Sequence, residues 1–291
     1  MYTATVNGAE IAYQLFRQGP LLVWTEGGRF GRNEFSYMVA GRLARTYTVL
    51  LWDRRNCCGA SAVALSDAPN WMTDDVEDLH ALLHTLALGP ACFAGASAGC
   101  SLSLWMAHRY PQAVRSLILM DAPTDDTAQF AAGVRRHCFS LATVAERDGM
   151  QAALDASTRS WVGELQGVPP THGTWLAQTV AKNPANRARI LALDPQAFAR
   201  TSHRWGAFIM SMGWPAGLSE DAVRAIAVPA LVVPGNDEIH PRRCSERLLA
   251  LLQNAETADD AAAVPTNAHY SERLHPVFPA MEAFLARTLG D

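Results

Sequence analysis

Over the first 121 residues, short apolar runs alternate with amphipathic ones. Residues 3–16 read as two strands joined at Asn7-Gly8, a dipeptide suited to the positive φ angles of a tight hairpin turn. "LLVWTE" (21–26) is a continuous apolar run ending at Gly27-Gly28, the mark of a strand buried on both faces. A helical period covers 33–45, and "TVLLWD" (48–53) is again continuous. "TDDVEDLHALLHTLAL" (73–88) predicts a helix with Thr73 or Asp74 as N-cap and acidic residues in the first turn, where the helix dipole favours them. "ACFAGA" (91–96) predicts a strand, "SLSLWMAHRY" (101–110) a helix and "RSLILMD" (115–121) another strand. Strands alternating with helices of ten to fifteen residues predict an α/β fold on a mostly parallel, doubly wound sheet.

The alternation then stops. From 122 to 227 the chain shows helical patterning without a strand, and it carries Trp161, Trp175, Trp205 and Trp214. "VPALVVPGND" (228–237) resumes the sheet, followed by a helix over 242–253 and a final helix starting at Pro276. A last strand is expected around "AETADDAAAVP", a stretch poor in β-branched residues. The reading is one core, residues 1–121 and 228–291, interrupted by a helical cap over 122–227. No internal repeat or low-complexity linker is present.

Composition narrows the classes. A hydrophobic content of 49% with 18% charged residues describes an ordinary globular chain of 291 residues. The formal charge of −4 offers no footprint for nucleic acid, so none is expected as a partner. No window approaches the twenty apolar residues of a membrane span, and the N-terminus lacks the basic and apolar regions of a signal peptide. Six cysteines without C-x-x-C spacing then read as reduced thiols, and a cytoplasmic location is expected. A disulfide between neighbours strains the backbone, which argues against pairing Cys57 with Cys58.

Candidate chemistry gathers where strands of a parallel sheet end. "GASAG" places Ser97 between a strand and a helix, with Gly95 and Gly99 allowing the sharp turn that a G-x-S-x-G nucleophile needs. The other groups at strand ends are Gly27-Gly28, Asp53, Asp121 and Asp237, with His269 in the loop before the last helix. Serine, carboxylate and histidine in that order, together with "GASAG", "DRRNCCGAS", "VVPGNDEIHP" and "NAHYSERLHPVFPAMEAFL", resemble the nucleophile elbow, post-strand turn, acid loop and histidine loop of the α/β-hydrolase superfamily. The resemblance covers almost the whole chain. It implies an α/β-hydrolase fold with an inserted helical cap, and a cofactor-free, metal-free serine hydrolase acting on a small carboxylic ester. "TEGGRFGRNEF", "VLLWDRRNCCGAS" and "KNPANRARILALDPQAFARTSHRW" are also similar to hydrolases of monoalkyl phthalates, which are half-esters bearing a free carboxylate.

In that reading Ser97 is the nucleophile, His269 the base and Asp237 the acid, with the N–H groups of Ala98 and Gly28 as the oxyanion hole. The family's common His-Gly after the third strand is Glu26-Gly27 here, which leaves Arg29 N–H as the neighbouring alternative to Gly28. Asp121 ends the strand before the cap and is the alternative acid; the glycine and asparagine before Asp237 suit a tight loop that presents a side chain. His275 precedes Pro276, so it is expected to cap the final helix, where the dipole opposes its protonation. His240 precedes Pro241 three residues beyond Asp237, and a base bonded to that acid is expected from another segment. His269 remains as the choice.

Other residues have plainer readings. His80 and His84 lack the glutamate of a zinc-binding H-E-x-x-H helix and read as a solvated face. The cap tryptophans read as packing, and His137, His172 and His203 as surface positions. Arg29, Arg54, Arg55 and Arg204 are candidates to pair with a substrate carboxylate, though no given one of them is expected to. Two alternatives keep the fold: a C–C bond or lactone hydrolase with the same triad, and a non-catalytic binding protein.

Overall fold

The computed structural model describes residues 1–124, 126–158, 174–259 and 270–290. Eight strands form one sheet: β1 (Tyr2–Val6), β2 (Ala9–Phe16), β3 (Leu21–Thr25), β4 (Thr48–Trp52), β5 (Ala91–Ala96), β6 (Val114–Met120), β7 (Ala230–Val233) and β8 (Ala255–Thr257). Their order is β1-β2-β4-β3-β5-β6-β7-β8. β1 and β2 pair antiparallel, β2 pairs antiparallel with β4, and every later pairing is parallel. The β1–β2 turn closes with Val6 opposite Ala9, and both Asn7 (φ 45°) and Gly8 (φ 75°) take the positive φ of a primed turn.

Alternation along the central strands sorts the core into two layers. Val23, Leu50, Phe93, Leu117, Leu119 and Val232 face one side, packed with Met72 and Leu79 of α2 (Trp71–Thr85) and Leu104 of α3 (Ala98–Arg109). Leu22, Trp24, Val49, Leu51, Ile118, Met120 and Leu231 face the other, packed with Val39 of α1 (Glu34–Leu43) and the residues Met281 and Phe284 near the C-terminus. Sheets covered on both faces need such unbroken apolar strands.

Between β6 and β7, the described residues form helices only. These are α4 (Ala128–Val134), a π-helical turn (Arg135–Ser140), α5 (Leu141–Ser157), α6 (Trp175–Lys182), α7 (Ala185–Leu191), α8 (Pro195–Ser211) and α9 (Glu220–Arg224). Trp175 and Trp205 pack there with ring centroids 6.5 Å apart, while Trp161 lies outside the described residues. The chain ends through α10 (Arg242–Leu251), α11 (Tyr270–Leu274) and α12 (Phe278–Leu289).

Three boundaries differ from the sequence expectation. α2 starts two residues early because Asn70, not Thr73 or Asp74, is its N-cap, its Oδ1 accepting the Thr73 N–H at 2.9 Å. Of the stretch "AETADDAAAVP", residues 255–259 are described, and among them the strand forms over Ala255–Thr257, where β7 gives it a parallel partner. The final helix begins at Phe278 rather than Pro276, because the proline at its start is Pro279; His275 is therefore not its N-cap.

Candidate active site

The elbow is built from backbone crowding. Ser97 sits at φ 53°, ψ −116°, a conformation that costs a non-glycine residue on the order of 1–3 kcal/mol unless its surroundings enforce it. Its N–H donates to Met120 O at 3.0 Å, and its carbonyl accepts from Ser101 N–H at 3.2 Å. A side chain at Gly95 would stand 2.6 Å from the Gly99 carbonyl carbon and 2.7 Å from Thr25 O. Only glycine lets β5, the start of α3 and the end of β3 meet this closely. Ala98 is the first residue of α3, so its N–H has no partner within the helix and lies next to the nucleophile.

Ser97 Oγ lies 2.9 Å from Nε2 of His240. Nδ1 of the same ring lies 2.9 and 3.0 Å from the two carboxylate oxygens of Asp237. An ionised carboxylate only accepts, so Nδ1 carries the proton and Nε2 is left to receive the serine hydroxyl. Burial opposes ionisation of Asp237. The His240 ring, the His240 N–H (2.6 Å) and the Ile239 N–H outweigh it and hold the carboxyl below the usual range. The site thus joins Ser97 and Asp237 through His240. His269 lies outside the described residues.

The expectation that a base bonded to Asp237 must arrive from a separate segment does not describe His240. The loop after β7 doubles back on itself: Thr124 N–H donates to Ile239 O at 2.8 Å, and a Cβ at Gly235 would stand 2.5 Å from that of His240. With no side chain at 235, the three-residue spacing brings the ring over the carboxylate rather than keeping them apart.

Asp121 is placed differently. It holds φ 50° at the end of β6, is 5% exposed, and accepts from Arg273 Nη2 of α11. The same nitrogen donates to Pro234 O at 2.8 Å. Burial raises the Asp121 carboxyl above the usual range despite the neighbouring Arg273 charge. Asp53 is structural too: it accepts from the Arg32 N–H (2.6 Å), the Arg32 side chain (3.0 and 3.1 Å) and the Ala60 N–H (2.7 Å).

The loop after β3 lies beside the serine. A Cβ at Gly27 would be 3.2 Å from that of Ser97, and Gly28 takes φ 47° in a turn closed by Phe30 N–H to Gly27 O at 3.1 Å. Glu26, in the place of the family's histidine, is buried and accepts from Trp24 Nε1 (2.9 Å), Ser36 Oγ and Asn33 Nδ2 (3.2 Å). It ties the loop to the first turn of α1, and burial raises its carboxyl above the usual range. Sequence reasoning flagged Glu26 as a departure without seeing this role.

The arginines are engaged internally. Arg29 Nη1 meets Asp75 at 2.5 Å, and Arg55 forks onto Asp78 with two bonds of 2.6 Å. Arg54 is fully buried, and Arg204 donates to Ser66 O at 2.9 Å. His137 is half-buried rather than a surface residue, and burial, then the Arg29 charge, lowers its pKa to about 4. His203 is exposed and stacks on Phe139, and His172 lies outside the described residues. His80 stacks on Tyr110 at 3.7 Å, and no cluster of metal-ligating residues occurs among the described residues. Nor, among them, is any helix long and apolar enough to cross a membrane.

Residues 23–136 match the family model described as alpha/beta hydrolase fold. An uncharacterized hydrolase of Bacillus subtilis (strain 168) is 32% identical over 116 residues, which span 40% of this chain and 42% of that protein. The chain thus matches about two fifths of that relative's length. Among solved structures, a thermophilic esterase from Thermogutta terrifontis superposes with TM-score 0.62 at 20% identity, covering 99% of this chain and 97% of the other. The enol-lactonase from Burkholderia xenovorans LB400 gives 0.59 at 21% identity, with both chains fully covered. At such identities the likeness is one of fold.

Proposed function

We propose that this member of the α/β-hydrolase superfamily is a serine hydrolase cleaving a small carboxylic ester through an acyl-enzyme on Ser97. The observation that carries the reading is the hydrogen-bonded line Ser97 Oγ–His240 Nε2 and His240 Nδ1–Asp237. His240 Nε2 accepts the hydroxyl proton as Ser97 Oγ attacks the ester carbonyl, because the free hydroxyl is a poor nucleophile. Asp237 fixes the tautomer and stabilises the imidazolium. The N–H groups of Ala98 and Gly28 receive the oxyanion, each such donor contributing on the order of 3 kcal/mol to lowering the barrier. The imidazolium then protonates the departing alcohol, and water activated by the same nitrogen releases the acid and restores Ser97. The mechanism as proposed calls on no cofactor.

Activity profiling on p-nitrophenyl esters, monoalkyl phthalates and lactones, each with Ser97→Ala as control, tests this reading and separates ester from lactone chemistry. The half-ester resemblance adds monoalkyl phthalates to the ester arm, where turnover would narrow the substrate class. Ser97-dependent turnover of no member of the panel would overturn the proposal.

A further inference from the structure

Arg54 is 1% exposed and lies in the turn after β4, far in sequence from the loop it touches. Its Nη2 donates to three carbonyls of one loop: Glu26 O at 3.1 Å, Gly27 O at 3.3 Å and Phe30 O at 3.1 Å. Its Nη1 faces Asp75 of α2 at 3.9 Å, and Asp75 also takes Arg29 from the same loop at 2.5 Å. The Arg54 guanidinium thus holds the backbone of residues 26–30, and the Asp75 carboxylate joins it to the Arg29 side chain of the same loop. An arginine with no exposed surface and three backbone acceptors is not available to a substrate.

The consequence follows from peptide geometry. Trp214–Pro215 is the cis bond among the described residues, so the peptide linking Gly27 to Gly28 is trans. In a planar trans peptide the carbonyl and the following N–H point in opposite directions. Holding Gly27 O against Arg54 therefore fixes the Gly28 N–H on the side away from the guanidinium, in a loop whose Gly27 packs against the elbow. The peptide between Gly28 and Arg29 receives no such restraint from Arg54.

We propose that Arg54 is a positioning residue for the oxyanion hole, orienting the Gly28 N–H as its second donor. The inference rests on the serine-hydrolase reading and adds a residue to it. Preorganised donors need no reorientation as charge develops, so loss of the clamp acts on the transition state rather than on substrate binding.

The test compares wild type, Arg54→Met, Arg54→Lys and Arg54→Ala with and without added guanidinium chloride at non-denaturing concentration, on one ester. The readouts are kcat, KM and the affinity of an alkyl boronic acid, which mimics the tetrahedral intermediate. Arg54→Met should lose on the order of a hundredfold to a thousandfold in kcat. Its KM should stay within about threefold, boronate affinity should fall in parallel with kcat, and guanidinium should restore part of the Arg54→Ala rate. If Arg54→Met does not fold, Arg54→Lys carries the same comparison, because an ammonium lacks the planar fork that reaches the loop and Asp75 together. Wild-type kcat in a folded variant, or a kcat loss that leaves boronate affinity unchanged, would overturn the inference. Failure of the underlying reading looks different: wild type itself would then show no Ser97-dependent turnover.

Discussion

Gly95→Ala separates backbone propensity from packing at the elbow. Gly95 lies in β5 with φ outside the left-handed region, so on intrinsic grounds alanine should stabilise it by about 0.5–1 kcal/mol. The structure reverses that sign. The new Cβ would stand 2.6 Å from the Gly99 carbonyl carbon, 2.7 Å from Thr25 O and 2.8 Å from Gly99 Cα, all backbone atoms. Ordinary contact begins near 3.4 Å, so β5 and α3 must part by about 0.8 Å. Overpacking of this kind costs about 1–3 kcal/mol, and a site walled by backbone on two sides belongs at the upper end. We expect a net loss of about 2 kcal/mol, which lowers the melting temperature by about 3 °C at this chain size. Ser97 shifts with the strand, and a displacement near 1 Å costs about a hundredfold in rate. The assay is thermal unfolding by circular dichroism alongside ester turnover. Gly41→Ala is the control: it is an exposed position within α1 with nothing near a new Cβ, so it should gain about 0.5–1 kcal/mol. A Gly95→Ala protein as stable and as active as wild type would refute the packing argument.

Other substitutions report on separate parts of the site. His240→Ala should lose at least about a thousandfold in kcat on one ester substrate, while His269→Ala and His275→Ala stay within an order of magnitude; a silent His240→Ala with an inactive His269→Ala would return the base to the sequence-based choice. Asp237→Asn should cost about 10⁴-fold in kcat by losing the tautomer control. Asp121→Asn should instead lower stability by on the order of 3 kcal/mol with activity largely kept, because it strips a buried Arg273 of its carboxylate; the opposite pattern would exchange their roles. All six cysteines are buried, and burial pushes the thiols of Cys57, Cys58, Cys92 and Cys138 up to about 12. The native protein at pH 8 should therefore react with no equivalent of a disulfide reagent until it is unfolded, and a fast-reacting thiol would contradict that burial.

How far the sequence carries depends on whether a feature is local. The parallel strands could be read because burial on both faces demands unbroken apolar runs such as "LLVWT" and "TVLLW". The Ser97 turn could be read because its strain needs glycine at fixed offsets. The base could not be settled that way. His240 meets Asp237 only because Gly235 lets the loop fold onto itself, a constraint that spacing does not express. Arg54 and Glu26 were harder still, since charged residues default to the surface and nothing local announces that three carbonyls wait for a guanidinium. The start of α2 was missed by preferring Thr73 or Asp74 to the asparagine that supplies the capping oxygen. The third strand residue of β8 and the late start of α12 depend on neighbours that no window of sequence contains.

The central claim is that Ser97 is a nucleophile activated by His240. Intact-protein and peptide mass spectrometry after treatment with a fluorophosphonate probe tests it most directly, on wild type, Ser97→Ala and His240→Ala. The account expects one adduct on wild type, located at Ser97, none on Ser97→Ala, and labelling of His240→Ala slowed by at least about a thousandfold. An adduct on another residue, or His240→Ala labelled at the wild-type rate, would contradict it.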